Sequence, residues 1–170
     1  MNSVRTATAE DLADISAVLD QSYRALLPTA YEAALLQQAL PLLVTANTDL
    51  VASGRYFIVR AADGQAIGCG GWSIRNPVSA TSGTALANLR HYAVIPDRAG
   101  CGIGRMLHDA CMAQARPLGF HRFEVFSSLN AEGFYAALGF RRIRAVELPI
   151  GQLQFPAIRM SREDHEMATS

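Results

Sequence analysis

The sequence predicts an α/β fold, a twisted mixed sheet of about seven strands with helices on both faces. Three observations carry this. Apolar stretches of strand character alternate with stretches of helical period in the order β-α-α-β-β-β-α-β-α-β-β. A β-α-β unit stands in the middle of that order, which implies one parallel pair inside a mostly antiparallel sheet. The 170 residues are half hydrophobic, enough chain to bury a core in a single domain.

The elements follow in order. Val4 to Ala7 is a short first strand. Thr8-Ala9-Glu10-Asp11 reads as a helix start, with a hydroxyl cap and acids in the first turn. Leu12, Ile15, Val18 and Leu19 then recur at helical spacing. Thr29 with Glu32 repeats the capping pattern before a second helix through about Leu43. A short helix from Asp49 to Ser53 stops at Gly54. Tyr56 to Val59 is a strand, Asp63-Gly64 a hairpin turn, and Ala66 to Ser73 the returning strand. Arg75 to Gly83 is a polar loop. Leu86 to Val94 is the next strand, stopped by Pro96. A glycine-rich turn leads into a helix from Gly102 to Ala115, with Ile103, Leu107, Ala110 and Cys111 on its buried face. Phe123 to Phe126 is a strand, Ala131 to Leu138 a short helix closed by Gly139, and Arg142 to Leu148 and Phe155 to Met160 are the last strands. Residues 1–162 read as one domain and 163–170 as a polar tail.

Composition narrows the function. The 15 basic residues balance 15 acids, so neither nucleic acid nor an anionic membrane is an expected partner. No apolar run reaches the roughly 18–20 residues of a membrane helix. The start, Met1-Asn2-Ser3-Val4-Arg5, has no apolar stretch behind its charge, so no signal peptide is expected. All 15 basic residues are arginine. The missing lysine removes Schiff-base chemistry and a Walker-type phosphate lysine. Arginine without lysine, together with abundant alanine, suggests a GC-rich bacterial genome. Cys69, Cys101 and Cys111 lack C-x-x-C spacing, which favours a reducing, cytoplasmic setting and argues against a zinc site or disulfide framework. No metal is expected, because the histidines His108, His121 and His165 are scattered and read as surface residues.

Residues 96–105, Pro-Asp-Arg-Ala-Gly-Cys-Gly-Ile-Gly-Arg, place alternating glycines directly after a strand and at the start of a helix. Glycine adopts positive φ and keeps no side chain between backbone and ligand. Free N–H groups and the helix dipole at such a turn suit an anion such as a pyrophosphate. The dinucleotide pattern G-x-G-x-x-G does not fit, since Gly100, Gly102 and Gly104 give G-x-G-x-G. From spacing alone a plain glycine-rich turn stays open.

The surrounding residues go further. Residues 89–107, Leu-Arg-His-Tyr-Ala-Val-Ile-Pro-Asp-Arg-Ala-Gly-Cys-Gly-Ile-Gly-Arg-Met-Leu, resemble the acyl-CoA-binding strand, loop and helix of the GNAT superfamily of N-acyltransferases. Leu129-Asn130-Ala131-Glu132-Gly133-Phe134-Tyr135-Ala136-Ala137-Leu138-Gly139-Phe140 is similar to that family's second signature. Ala99 stands where the family's loop often begins with Gln or Arg, and Arg98 or Arg105 substitutes in this reading.

The resemblance implies a cofactor site and a reaction. Acetyl-CoA is the expected cosubstrate. Its phosphates would meet the turn formed by Arg98, Ala99, Gly100, Cys101, Gly102, Ile103, Gly104 and Arg105. Its pantetheine arm would pair with the main chain at Ala93 and Val94, where the parallel strands splay. Asn130 matches a cofactor-contacting position, and a helix N-cap is its other reading. Tyr135 matches the family's tyrosine near the thioester sulfur, where a phenol can donate to a developing thiolate; a core tyrosine is the alternative. His91, at a side-chain parity with Leu89 and Ala93, is the candidate general base. A packed strand histidine, or deprotonation through ordered water, stays open beside it. Asn88 stands where some relatives carry a carboxylate and cannot act as a base. Phe134 and Phe140 are expected in the core. Tyr31, Trp72 and Arg75 are acceptor-side candidates, with core packing the better reading for Trp72.

The function implied is acetyl transfer from acetyl-CoA to a primary amine by direct attack in a ternary complex. The acceptor is a small-molecule amine, with a protein amine as the other choice. The last strands of this family often pair between subunits, which leaves a homodimer open. A catalytically silent acyl-CoA sensor and an unrelated phosphate-binding domain are the alternatives.

Overall fold

The computed structural model describes residues 1–74 and 86–164. The polar loop expected from Arg75 to Gly83, Arg75 itself and His165 lie outside them. The described residues form seven strands and five α-helices: β1 (Ser3–Thr6), α1 (Leu12–Leu26), α2 (Ala33–Leu43), α3 (Thr48–Ala52), β2 (Tyr56–Arg60), β3 (Ala66–Ser73), β4 (Leu86–Val94), α4 (Ile103–Ala115), β5 (Arg122–Ser127), α5 (Glu132–Ala137), β6 (Arg141–Ile150) and β7 (Leu153–Glu163). This is the expected order. The sheet runs β1-β2-β3-β4-β5-β7-β6. Its pairs are antiparallel except β4 with β5, which are parallel across the α4 crossover.

Helices cover both faces. On one face α4 holds the sheet through Trp72, whose Nε1–H donates to Gln114 at 2.8 Å, and through the buried Ile103, Leu107 and Cys111. On the other face Ile15, Val18 and Leu19 bury the apolar stripe of α1 against β3 and β4. A smaller cluster of Leu27, Tyr31, Leu36, Ala39, Leu40 and Phe155 ties α2 to β7.

Asp11 fixes the entry to α1. It is nearly buried, accepts two bonds from Arg5 at 2.8 Å and one from Arg60 at 2.9 Å, and takes the Thr8 N–H at 2.8 Å. The Arg5 bonds and the other donors hold its carboxyl well below the usual carboxylate range despite its burial. The second expected capping pair is not formed. Thr29 Oγ1 donates back to the Leu26 carbonyl at 2.6 Å, and Glu32 occupies the cap position of α2 without a side-chain cap bond. A 3-10 turn over Leu27–Thr29 consumes the threonine first. At the other end β7 runs through Glu163, and Asp164 bonds Arg116 and Arg162.

Candidate functional site

The parallel ladder between β4 and β5 runs from Leu86 and Arg122 to Leu89 and Val125 and then ends, although β4 continues to Val94 and β5 to Ser127. The cause is a bulge. On β3, Gly71 faces Arg90 and Cys69 faces Ala93, so Gly70 alone stands against both His91 and Tyr92. His91 takes φ +54°, left-handed for a non-glycine residue. The expected regular parity of His91 with Leu89 and Ala93 is therefore broken, because the bulge inserts one residue between them.

Three tyrosines hold the bulge. Tyr56 donates to the His91 carbonyl at 2.8 Å, and Tyr23 of α1 donates to the Tyr92 carbonyl at 3.3 Å. The Tyr92 phenol reaches Cys111 Sγ at 3.0 Å. Its ring lies so close to Gly70 that a Cβ there would stand 2.6 Å from it. Burial raises the pKa of all three phenols above the ordinary value.

Two cavities meet beside the open seam. The larger, about 660 Å³, is lined by Ala93, Val94, Arg98, Ala99, Gly100, Gly102, Ile103, Gly104, Arg105 and Asn130. Of the turn residues singled out from the sequence, Cys101 alone is not on its wall; it is exposed. Gly100 and Gly102 adopt φ +76° and +83° with open space where a Cβ would stand. The first helical bond of α4 is Met106 N–H to the Gly102 carbonyl at 3.0 Å. The N–H groups of Ile103, Gly104 and Arg105 precede it and have no carbonyl within the helix, so they and the dipole form an anion cradle.

Phe134 departs from expectation. It was expected in the core, yet it is 38% exposed and leans on α4, where a Cβ on Gly104 would stand 2.7 Å from its ring. The register of the short helix α5 turns Tyr135 inward and leaves Phe134 at the cavity wall. Phe140 is in the core, as expected. Asn130 does not cap α5, because Ala131 holds the cap position.

The smaller cavity, about 370 Å³, has Arg90, His91 and Phe126 along the sheet. Leu27, Leu42 and Leu43 line it from the α1–α2 region, and Leu148, Pro149, Ile150 and Phe155 from β6 and β7. Tyr23, Leu27, Tyr92, Ser128, Ala131 and Tyr135 line both cavities. Tyr135 is buried, with its ring against Phe134 at 4.9 Å and Phe140 at 5.9 Å. Burial, and secondarily Cys111, raises its pKa, so the phenol keeps its proton through the neutral range. His91 is pushed the other way, down to about 4, by burial and then by Arg90. At neutral pH it is an uncharged ring that can accept a hydrogen bond but is a weak base.

The remaining candidates fall elsewhere. Trp72 is fully buried in the core. Tyr31 is also buried, stacked on Phe155 at 4.4 Å, donating to the Pro156 carbonyl at 2.7 Å and accepting the Leu129 N–H at 2.9 Å. His108, expected at the surface, is buried between Asp109 and Arg162, with 3.2 Å to each, and edge-on to Phe140. Asn88 is fully buried, and neither its Nδ2 nor its Oδ1 has a partner among the described residues. No group of three or more His, Cys, Asp or Glu among the described residues could hold a metal ion. No helix among them is long and apolar enough to cross a membrane.

A seven-stranded sheet with one splayed parallel pair, a glycine turn at a helix start and a buried tyrosine beside it together define an acyltransferase-like site. The model of the acetyltransferase (GNAT) family matches residues 14–140, and the chain belongs to that family. Among solved structures it is similar to a GCN5-related N-acetyltransferase from Rhodopseudomonas palustris, at 22% identity and TM-score 0.73 over 96% of each chain. The PaiA N-acetyltransferase of Thermoplasma acidophilum, solved with coenzyme A, gives 16% identity and TM-score 0.73 over 96% of this chain and 99% of that one. The ribosomal-protein-S18-alanine N-acetyltransferase of Escherichia coli gives 16% identity and TM-score 0.66 over 100% and 98%. Among curated proteins none matches this chain in sequence.

Proposed function

We propose that the protein transfers an acetyl group from acetyl-CoA to a primary amine by direct attack in a ternary complex, as one domain over residues 1–162 in a bacterial cytoplasm. The observation that carries this reading is the meeting of two cavities at Tyr135, one walled by an anion cradle and the other largely by apolar side chains.

The residues present fit the cofactor. The N–H groups at the start of α4 suit a pyrophosphate. Arg98 and Arg105 on the same wall offer charge to the phosphates. The end of the parallel ladder at Leu89 leaves main-chain groups of Ala93 and Val94 facing the seam for an extended arm. Acetyl-CoA, when bound, supplies an activated acyl thioester.

The chain supplies the rest. Tyr135 keeps its proton and can donate a hydrogen bond from its hydroxyl to a sulfur leaving group, stabilising the thiolate as it forms. The neutral His91 ring accepts a hydrogen bond from the amine, and water carries the proton away. A covalent route through cysteine has no support: Cys101 is exposed and off the cavity wall, while Cys69 and Cys111 are buried with thiols pushed up to about 12. The test is incubation of the full chain with acetyl-CoA and a broad amine panel, followed by mass spectrometry and thiol release. Acetylated amine and free thiol in equal amounts are expected. Binding of acetyl-CoA with no acetylated amine from any acceptor would make the protein a silent acyl-CoA module instead.

A further inference from the structure

The floor of the smaller cavity carries a positive charge with no carboxylate among the described residues that line it. Arg90 lines that cavity, and its only polar partner among the described residues is the neutral Ser73 Oγ at 3.3 Å. No Asp or Glu among the described residues lines this cavity. The nearby carboxylate, Glu124, sits beside Asn88 in the parallel ladder and is engaged by Arg159, whose Nε donates to it at 2.7 Å. That pair cancels itself and leaves Arg90 without a carboxylate partner among the described residues. A partly buried guanidinium without a counter-ion is unfavourable unless a ligand supplies one.

Asn88 lies next to Arg90 on β4 but behind the cavity wall. Ser73, Trp72 and Gly71 face Asn88, Leu89 and Arg90 in unbroken register, so Asn88 and Arg90 project from the same face one pleat apart. Asn88 is fully buried, and neither amide atom has a partner among the described residues. Of the two only Arg90 lines the cavity, and its guanidinium offers the paired donors that a carboxylate takes. The surrounding wall of Leu27, Leu42, Leu43, Ile150 and Phe155 is apolar.

We infer that the acceptor amine carries a carboxylate, clamped by Arg90 on the cavity wall, on an apolar body: the class of apolar amino acids. This rests on the amine-acetylation reading above and names its substrate class. Burial lowers the Arg90 pKa from its ordinary value, consistent with a guanidinium kept dry for such a ligand.

The experiment measures kcat/KM for three sets of matched probes: L-phenylalanine, L-methionine and 6-aminohexanoate, the carboxamide of each, and the corresponding amine without the carboxylate. In the unaltered protein the acids are expected to exceed their amides and amines by roughly ten- to a hundredfold, mainly through KM, as one charge-assisted clamp allows. In Arg90→Gln that preference should collapse, with a thermal shift by acetyl-CoA confirming that the variant is folded. If the unaltered protein acetylates amines and amides as well as acids, the carboxylate clamp is wrong and amine acetylation stands. If acids are preferred but Arg90→Gln keeps the preference, the clamp is not at Arg90. If no probe of any kind and no other amine is acetylated, the underlying reading fails, and this inference with it.

Discussion

The phenol of Tyr56 crosses from β2 over β3 to donate to the main-chain carbonyl of His91 at 2.8 Å. Gly71 makes the crossing possible. It pairs with Tyr56 on one side and Arg90 on the other, and a Cβ on it would stand 2.8 Å from the Tyr56 Cα. The bond ties down a carbonyl that the bulge removes from the ladder. The left-handed backbone of His91 is thus fixed from outside its own strand, and the seam between β4 and β5 is held open by side chains placed far away in sequence.

Tyr56→Phe keeps the ring and deletes this bond. A buried carbonyl would lose its partner, so stability should fall by about 1–2 kcal/mol, measured by urea unfolding. Turnover should fall more than acetyl-CoA affinity, because the bulge borders the acceptor cavity while the cradle lies on α4. Turnover equal to that of the unaltered protein would show that the bulge holds its shape without Tyr56.

The glycine turn predicts two defects of different origin. Gly102→Val forces a branched side chain into φ +83°, a backbone strain with no contact involved. Gly104→Val leaves the backbone allowed but drives a side chain into the Phe134 ring. Each should weaken acetyl-CoA binding by roughly tenfold or more, the scale of losing one or two charge-assisted hydrogen bonds. Calorimetry on folded variants measures it, and unchanged affinity in both would remove the cradle.

Much of this site was readable from the sequence because it depends on local chain. The turn from Pro96 to Arg105 and the helix carrying Tyr135 are contiguous, and period, glycine and proline placed them. What escaped depends on contacts across the sheet. The bulge at His91 has no signature in Arg90-His91-Tyr92, since it is imposed by Gly70 and by the phenols of Tyr23 and Tyr56. Phe134 was expected in the core together with Phe140, and only the packing of α5 against α4 leaves its ring at the cavity wall. His108 was misplaced for a similar reason: its burial comes from Arg162 and Phe140, more than thirty residues downstream.

His91 gives stability a defined pH dependence. Its folded pKa is about 4, against 6.5 for the free side chain. As pH falls, the unfolded chain takes up the proton first, so stability is fully present above about pH 6.5 and is lost as pH drops toward about 4. His108, also depressed by burial, contributes with the same sign. Asp11 contributes only at lower pH, below its ordinary value of 3.8. His91→Asn tolerates the left-handed backbone and does not titrate. Its melting temperature should vary less between pH 6.5 and 4 than that of the unaltered protein, and an identical slope in both would mean that His91 is solvated.

Tyr135 supplies the most specific test of the chemistry. Its ring packs against Phe134, Phe140 and Tyr92, so Tyr135→Phe preserves shape and should leave folding and acetyl-CoA binding close to normal. Its raised pKa keeps the hydroxyl protonated through the neutral range. Its contribution grows as charge builds on the departing sulfur, so the loss should appear in kcat and not in cofactor affinity. A fall of roughly ten- to a thousandfold is the range for one positioned acid or hydrogen bond. Because His91 stays neutral and Tyr135 stays protonated, the pH profile of kcat/KM should follow the pKa of the acceptor amine and shift when the acceptor is changed. A thioester with a more acidic thiol should narrow the gap between Tyr135→Phe and the unaltered protein, since a better leaving group needs less help. Full turnover of Tyr135→Phe on a good acceptor would assign the proton to water, whereas loss of cofactor binding or of folding would make Tyr135 a packing residue.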